Sequence, residues 1–339
     1  MGIFKHQATS HSAAWTVIVL ALAVSCSKTP TSPTPPPPPP VAEAPSLSCP
    51  EEGVSRATVN TSGTNVSFDT PPIKGGQGSV TVSCSPQSGA TFPIGATEVT
   101  CTATDALNRT ATCSFNVNVS KLAQLSKVRY LAFGDSITAG EITVPIGGSL
   151  IGATGLIHKQ VVVPGSAYPA VLQRTLRGRY ASQAGDIIVA NYGLGGEKVV
   201  NARDRFIAGL DTVRPDAVII IDGANDIPAG ENGAASSAAN EVRIMADLAA
   251  RRGIRVFIGT PPPGKPGSRQ INTFLLEDYV GRMRQVAAQQ GATLIDFYVL
   301  MKPEVDRYIG IDGLHPNELG YTKMADIAFQ AIQAAFEIR

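Results

Sequence analysis

The chain has no surplus of charge, no long hydrophobic run and very few histidines, and each shortage removes a class of function. Its 339 residues carry 28 Lys and Arg against 27 Asp and Glu, so no basic field favours nucleic acid and no acidic tail favours basic partners. The apolar stretch near the amino terminus, residues 13–25, falls short of the roughly 20 residues that a bilayer span needs. Preceded by Lys5, it fits the apolar core of an export signal. Cysteine is limited to five residues, and four of them, Cys49, Cys84, Cys101 and Cys113, fall in one short segment. Of the four histidines, His6 and His11 leave with the signal, so the mature chain keeps only His158 and His315. Apolar residues are abundant, 43% against 16% charged, enough for at least one full core in a chain long enough for two domains.

The signal ends in Ala23-Val24-Ser25-Cys26. This resembles the bacterial lipobox, with Ala23 where Leu is usual; the alternative is cleavage after Ala21-Leu22-Ala23, leaving Cys26 as a spare thiol. Cysteine arithmetic favours acylation, since the other four cysteines suffice for two disulfides and an exposed extra thiol is a liability in an oxidising compartment. Residues 1–26 are thus read as a lipoprotein-type signal with its lipid at Cys26. That anchors the protein to the bacterial cell envelope, and Ser27 favours the outer membrane, on its periplasmic or surface side. Residues 27–46, including KTPTSPTPPPPPPVAEAP, cannot build a core. They are expected to form a polyproline II spacer on the order of 50 Å long at about 3.1 Å per residue.

From residue 47 to 120 the pattern is alternation with a period of two. Val80, Val82 and Cys84 share one strand face, as do Val99, Cys101 and Ala103, and then Cys113, Phe115, Val117 and Val119. This predicts a small antiparallel sandwich with disulfides supplementing a thin core; the pairing stays open among three connectivities. The stretch VTVSCSPQSGATFPIGATEVTCTATDALNRTATCSFNVNV, residues 80–119, with Cys49-Pro50 before it, resembles the hyalin repeat (HYR), an immunoglobulin-like module. The resemblance implies extracellular adhesion or display, with an extracellular ligand as a candidate partner. No titratable constellation in the segment suggests chemistry of its own.

Over residues 127–339 the period changes again. Apolar runs at 128–133, 187–190, 217–221, 256–258 and 294–299 read as buried parallel strands, and helical stretches lie between them at 169–180, 236–252, 272–290 and 317–338. This predicts a three-layer α/β domain, in which ligands bind beyond the carboxyl ends of the strands. Four such ends carry unusual polar residues: Gly134-Asp135-Ser136-Ile137-Thr138, Asn191-Tyr192-Gly193-Leu194-Gly195-Gly196, Gly223-Ala224-Asn225-Asp226 and Asp312-Gly313-Leu314-His315-Pro316. Taken singly, each has an ordinary explanation as a helix cap, a tight turn or the start of a helix. Taken together they supply a serine, a base, an orienting carboxylate and oxyanion donors. His158 sits in a Gly-rich insertion with no carboxylate nearby, as a solvated or rim residue. His315 has Asp312 three positions earlier, able to hold one ring nitrogen while the other faces Ser136.

The four blocks GDSIT, NYGLGG, GAND and DGLHPNELGY resemble the SGNH, or GDSL, hydrolase family and its flavodoxin-like α/β/α fold. The resemblance implies Ser136 as nucleophile, Asp312 and His315 as the rest of a triad, and an oxyanion hole from the Ser136 and Gly196 N–H groups and the Asn225 amide. It implies no metal and no organic cofactor. Asp135 is read as structural. Gly195 stands where many members have Ser, and an insertion, residues 142–163, follows Glu141, which is the candidate substrate-binding residue. The implied activity is hydrolysis of carboxylic esters, with lysophospholipid-like lipid or acetylated carbohydrate as substrate. Within the insertion, Ile151, Leu156, Ile157 and residues 161–163 are candidates for an apolar acyl pocket. The rival is a surface adhesion protein whose hydrolase-like domain is a non-catalytic scaffold.

Overall fold

The computed structural model describes residues 41–146, 158–227 and 233–338. The export signal, Cys26, most of the spacer, and Ile151, Leu156 and Ile157 of the acyl-pocket candidates lie outside the described residues.

In the amino-terminal module the strands Val54–Thr58, Thr81–Ser85, Gly95–Thr104 and Thr110–Lys121 form one sheet. The two long strands lie in the middle, and Thr81–Ser85 and Val54–Thr58 form the edges. Alternation buries Val99, Cys101, Phe115, Val117 and Val119 against Val66 and Phe92, while Thr100, Ser114, Asn116 and Asn118 stay exposed. The three strands expected from the alternation are antiparallel to their neighbours, and the further edge strand Val54–Thr58 runs parallel to Thr110–Lys121 with Val54 opposite Val117. Parallel neighbours cannot be joined by a tight hairpin. The chain between them instead supplies Thr64–Asn65 and Ile73–Lys74, which pair antiparallel with Thr91–Phe92 and Ser46–Leu47.

The disulfides are Cys49–Cys113 and Cys84–Cys101, the latter between residues directly opposite on neighbouring strands. Asp105, just past the end of Gly95–Thr104, accepts the backbone N–H groups of Leu107 and Arg109 and the Arg109 guanidinium. Arg109 in turn donates to the Ala42 carbonyl at 2.9 Å, so the turn in the HYR-like stretch ties down the chain that enters the module.

Beyond it, β1 (Arg129–Gly134), β2 (Ile188–Gly193), β3 (Ala217–Ile221), β4 (Arg255–Gly259) and β5 (Thr293–Ile295) form a parallel sheet. Its order is 2-1-3-4-5. Every residue of β3 is buried, as a strand covered on both faces requires, and each buried Ile contributes about 1.5–3 kcal/mol. The principal helices are α1 (Tyr168–Arg179), α2 (Arg203–Val213), α3 (Ala234–Arg251), α4 (Thr273–Gln289) and α5 (Glu318–Phe336). Helix α1 packs on α5 and α3 packs on α4, giving the three layers of a doubly wound fold. No helix among the described residues is long and apolar enough to cross a membrane.

Two features differ from expectation. The strand expected over 294–299 stops at Ile295, because Asp296 caps a short helix, Phe297–Met301, by accepting the Val299 N–H at 3.1 Å. Helix α2, absent from the expected helices, buries a stripe of Phe206, Gly209, Leu210 and Val213.

The two disulfides close loops of 64 and 17 residues. Chain entropy assigns about 4 kcal/mol to the longer and about 3 to the shorter. Calorimetric melting of the full chain should therefore show a larger loss of module stability for Cys49→Ser/Cys113→Ser than for Cys84→Ser/Cys101→Ser. The reverse order would contradict the entropic account.

Candidate active site

Ser136 opens a single helical turn, Ser136–Ala139, set on the carboxyl end of β1. Asp135 caps it by accepting the Ile137 N–H at 2.9 Å. Gly140 ends it with φ 89°, a left-handed conformation that glycine adopts without steric cost. The capping and nucleophile readings of Asp135-Ser136 are therefore compatible: the first residue holds the turn that presents the second.

His315 Nε2 lies 2.8 Å from Ser136 Oγ, and its Nδ1 lies 2.6 Å from Asp312 Oδ2. All three residues are buried, Ser136 at 3% exposure. Asp312 Oδ1 accepts the N–H groups of Leu314 and His315 at 3.0 Å each, and Oδ2 also accepts the Thr143 hydroxyl at 2.6 Å. Burial would raise the pKa of Asp312, but the hydrogen bonds from His315, Thr143 and Leu314 outweigh it and hold the carboxyl well below the usual range. An ionised Asp312 draws the ring proton to Nδ1 and leaves Nε2 free to accept from Ser136.

The fourth polar block differs in place from expectation. Asp312-Gly313-Leu314-His315-Pro316 follows no strand of the sheet; it is the loop between the short helix Val305–Tyr308 and α5. A bridge between Ile309 and Pro316, with Gly310 N–H donating to the His315 carbonyl at 2.8 Å, folds it back over the β1 exit. The other three blocks do sit at the exits of β1, β2 and β3. Asn225 donates from Nδ2 to the Glu197 carbonyl at 3.0 Å, and Asp226 accepts the Val199 N–H at 2.9 Å, so the β3 exit is stitched to the turn containing Gly196. Gly196 has φ 76°.

Two participants have no sequence signal of their own. Thr143 reaches Asp312 from a hairpin formed by Glu141–Pro145 and His158–Val162 within the insertion. Arg205, on α2, donates to the carbonyls of Gly134 and Tyr192, pairs with Glu197 and lies over the Phe133 ring at 4.0 Å. It thus gathers the exits of β1 and β2 around one guanidinium. The hairpin also brings in Glu141, whose Oε2 lies 3.8 Å from His315 Nε2. His158 stands half-buried at the hairpin's far end, 2.9 Å from the Ser268 hydroxyl. Among the described residues no group of three His, Cys, Asp or Glu side chains is arranged to hold a metal ion.

The sheet order and the buried Ser-His-Asp chain define a three-layer α/β domain of the hydrolase type. Residues 132–323 match the model of the GDSL-like lipase/acylhydrolase family, and the chain belongs to that family; residues 42–119 match the HYR domain. An acetylxylan esterase of Xylanibacter ruminicola is 30% identical over 192 residues, which cover 49% of this chain and 38% of that protein. The chain thus matches well under half the length of this curated relative. A solved structure of a lipase/acylhydrolase from Enterococcus faecalis, 23% identical, has the same fold with a TM-score of 0.50, over 62% of this chain and 97% of that one.

Behind Ser136, burial pushes Asp135 up to about 6 from an ordinary 3.8. A carboxyl raised in this way contributes stability in full below its unfolded pKa and loses it as pH climbs through the folded value. Asp135→Asn keeps the capping oxygen without the charge. Its melting temperature should exceed that of the wild type near pH 8, by the equivalent of about 1–3 kcal/mol, and converge with it near pH 4; a gap that widens on acidification would refute the assignment. Thr143→Val removes a charge-assisted hydrogen bond to Asp312 and should lower kcat on p-nitrophenyl acetate about tenfold with KM little changed.

Proposed function

We propose that this chain is an exported serine esterase that removes acetyl groups from carbohydrate. The observation that carries the reading is the continuous hydrogen-bonded chain from Ser136 Oγ through His315 to Asp312, at 2.8 and 2.6 Å. His315 Nε2 takes the Ser136 proton as Oγ attacks the ester carbonyl, and Asp312 stabilises the imidazolium that results. The oxyanion is held by the N–H groups of Ser136 and Gly196 and by the Nδ2–H of Asn225 that Glu197 does not use. The tetrahedral intermediate collapses, His315 gives its proton to the departing alcohol, and an acyl-Ser136 remains. Water then gives its proton to Nε2 and attacks the acyl carbon; as the acyl–Oγ bond breaks, His315 returns that proton to Ser136 Oγ and the acid is released.

The likeness to an acetylxylan esterase supports the choice of an acetylated polysaccharide over a lipid. A surface position fits this substrate. In this reading Cys26 carries a lipid in the bacterial envelope membrane, residues 27–46 form the tether, and the HYR module has a ligand outside the cell. A non-catalytic scaffold would have no need of a buried carboxylate aligned on the histidine that meets Ser136.

Acetate release from acetylated xylan and fatty-acid release from lysophosphatidylcholine test the reading. Ser136→Ala should abolish both reactions without loss of fold, and Asn225→Ala should cost about a hundredfold to a thousandfold in kcat. Preference for lysophosphatidylcholine by kcat/KM overturns the carbohydrate reading, and activity retained by Ser136→Ala overturns the triad.

A further inference from the structure

Glu141 is placed with unusual care for a residue at the start of an insertion. Its backbone carbonyl accepts the hydroxyl of buried Tyr321, on α5, at 2.6 Å. The strand it opens is paired with His158–Val162. Its side chain turns inward, 15% exposed, with Oε2 3.8 Å from His315 Nε2, the nitrogen that also meets Ser136 Oγ. The other oxygen fills the space a Cβ on Gly195 would need. This gives a reason for glycine one residue before Gly196: the Glu141 carboxylate stands where a side chain would be. The carboxylate thus lies between the general base and the turn proposed to hold the oxyanion.

We propose that Glu141 is a specificity-determining charge filter that favours esters of neutral or cationic alcohols and disfavours esters with an anionic group beside the carbonyl. The inference rests on Ser136 being the nucleophile. For attack, the ester carbon must come within about 3–3.5 Å of Ser136 Oγ, which puts the groups flanking it within a few ångströms of the Glu141 carboxylate. In a partly desolvated site a unit charge at that range is felt strongly. A neighbouring hydroxyl, as in a partly acetylated sugar, can donate to the carboxylate, whereas a carboxylate or phosphate there is repelled. The charge of Glu141 also favours the imidazolium formed on His315, which offsets its repulsion of the oxyanion.

The test compares kcat/KM for three acetyl esters: phenyl acetate, 4-acetoxybenzoate and acetylcholine. Glu141→Gln keeps the shape against Gly195 and removes the charge. It should raise the ratio of 4-acetoxybenzoate to phenyl acetate on the order of tenfold, and lower the ratio of acetylcholine to phenyl acetate similarly. A merely structural role would move all three esters together. Ratios unchanged by Glu141→Gln overturn the charge filter while hydrolysis of phenyl acetate leaves the esterase reading standing. Failure of the wild type to hydrolyse any of the three overturns both.

Discussion

A carboxylate with no solvent exposure is tolerable only if its lone pairs are used, and much of the site depends on how Asp312 meets that condition. It accepts four hydrogen bonds: two from backbone N–H groups of its own loop, one from the His315 ring and one from Thr143. Each partner comes with a constraint. The backbone donors require the tight Asp312-to-Pro316 loop, the ring must turn Nε2 toward Ser136, and the hydroxyl requires the insertion hairpin to fold over the site. One buried charge thereby links the β1 exit, the loop before α5 and the insertion.

The acids on either side of Ser136 show what environment does to one functional group. Asp135 is buried with its hydrogen bonds concentrated on one oxygen, and burial raises its pKa. Asp312 is equally buried but fully hydrogen-bonded, and its pKa falls. Asp222, beyond the end of β3, is raised well above its ordinary value by burial and by the nearby Asp135. The side behind Ser136 is thus suited to neutral carboxyls and the side of His315 to a carboxylate. Such a division separates structural acids from those able to support proton transfer.

Much of the fold was legible because it rests on local periodicity. The runs at 128–133 and 217–221 are continuous apolar stretches that become strands covered on both faces. The alternation through Cys113, Phe115, Val117 and Val119 becomes the half-buried strand Thr110–Lys121. The misreadings share a cause: periodicity does not report what a side chain does to its own backbone or which strand lies beside which. Leu294 to Val299 reads as one apolar run, yet the Asp296 cap divides it into strand and helix. Val54–Thr58 has no signal that would set its direction against Thr110–Lys121.

In the site, residue identity and chain order pointed to Ser136, His315 and Asp312 as candidates, because few residue types can serve as nucleophile, base and orienting acid, and the family resemblance added Gly196 and Asn225. The sequence could not reveal that the loop bearing Asp312 and His315 leaves no strand of the sheet. Nor could it show that Thr143 completes the shell of Asp312, that Arg205 joins two strand exits, or that Glu141 stands where Gly195 has no side chain. These are contacts across long stretches of chain, Thr143 to Asp312 spanning 169 residues. Local sequence determines which chemistry is possible; the packing of distant segments decides which groups surround it.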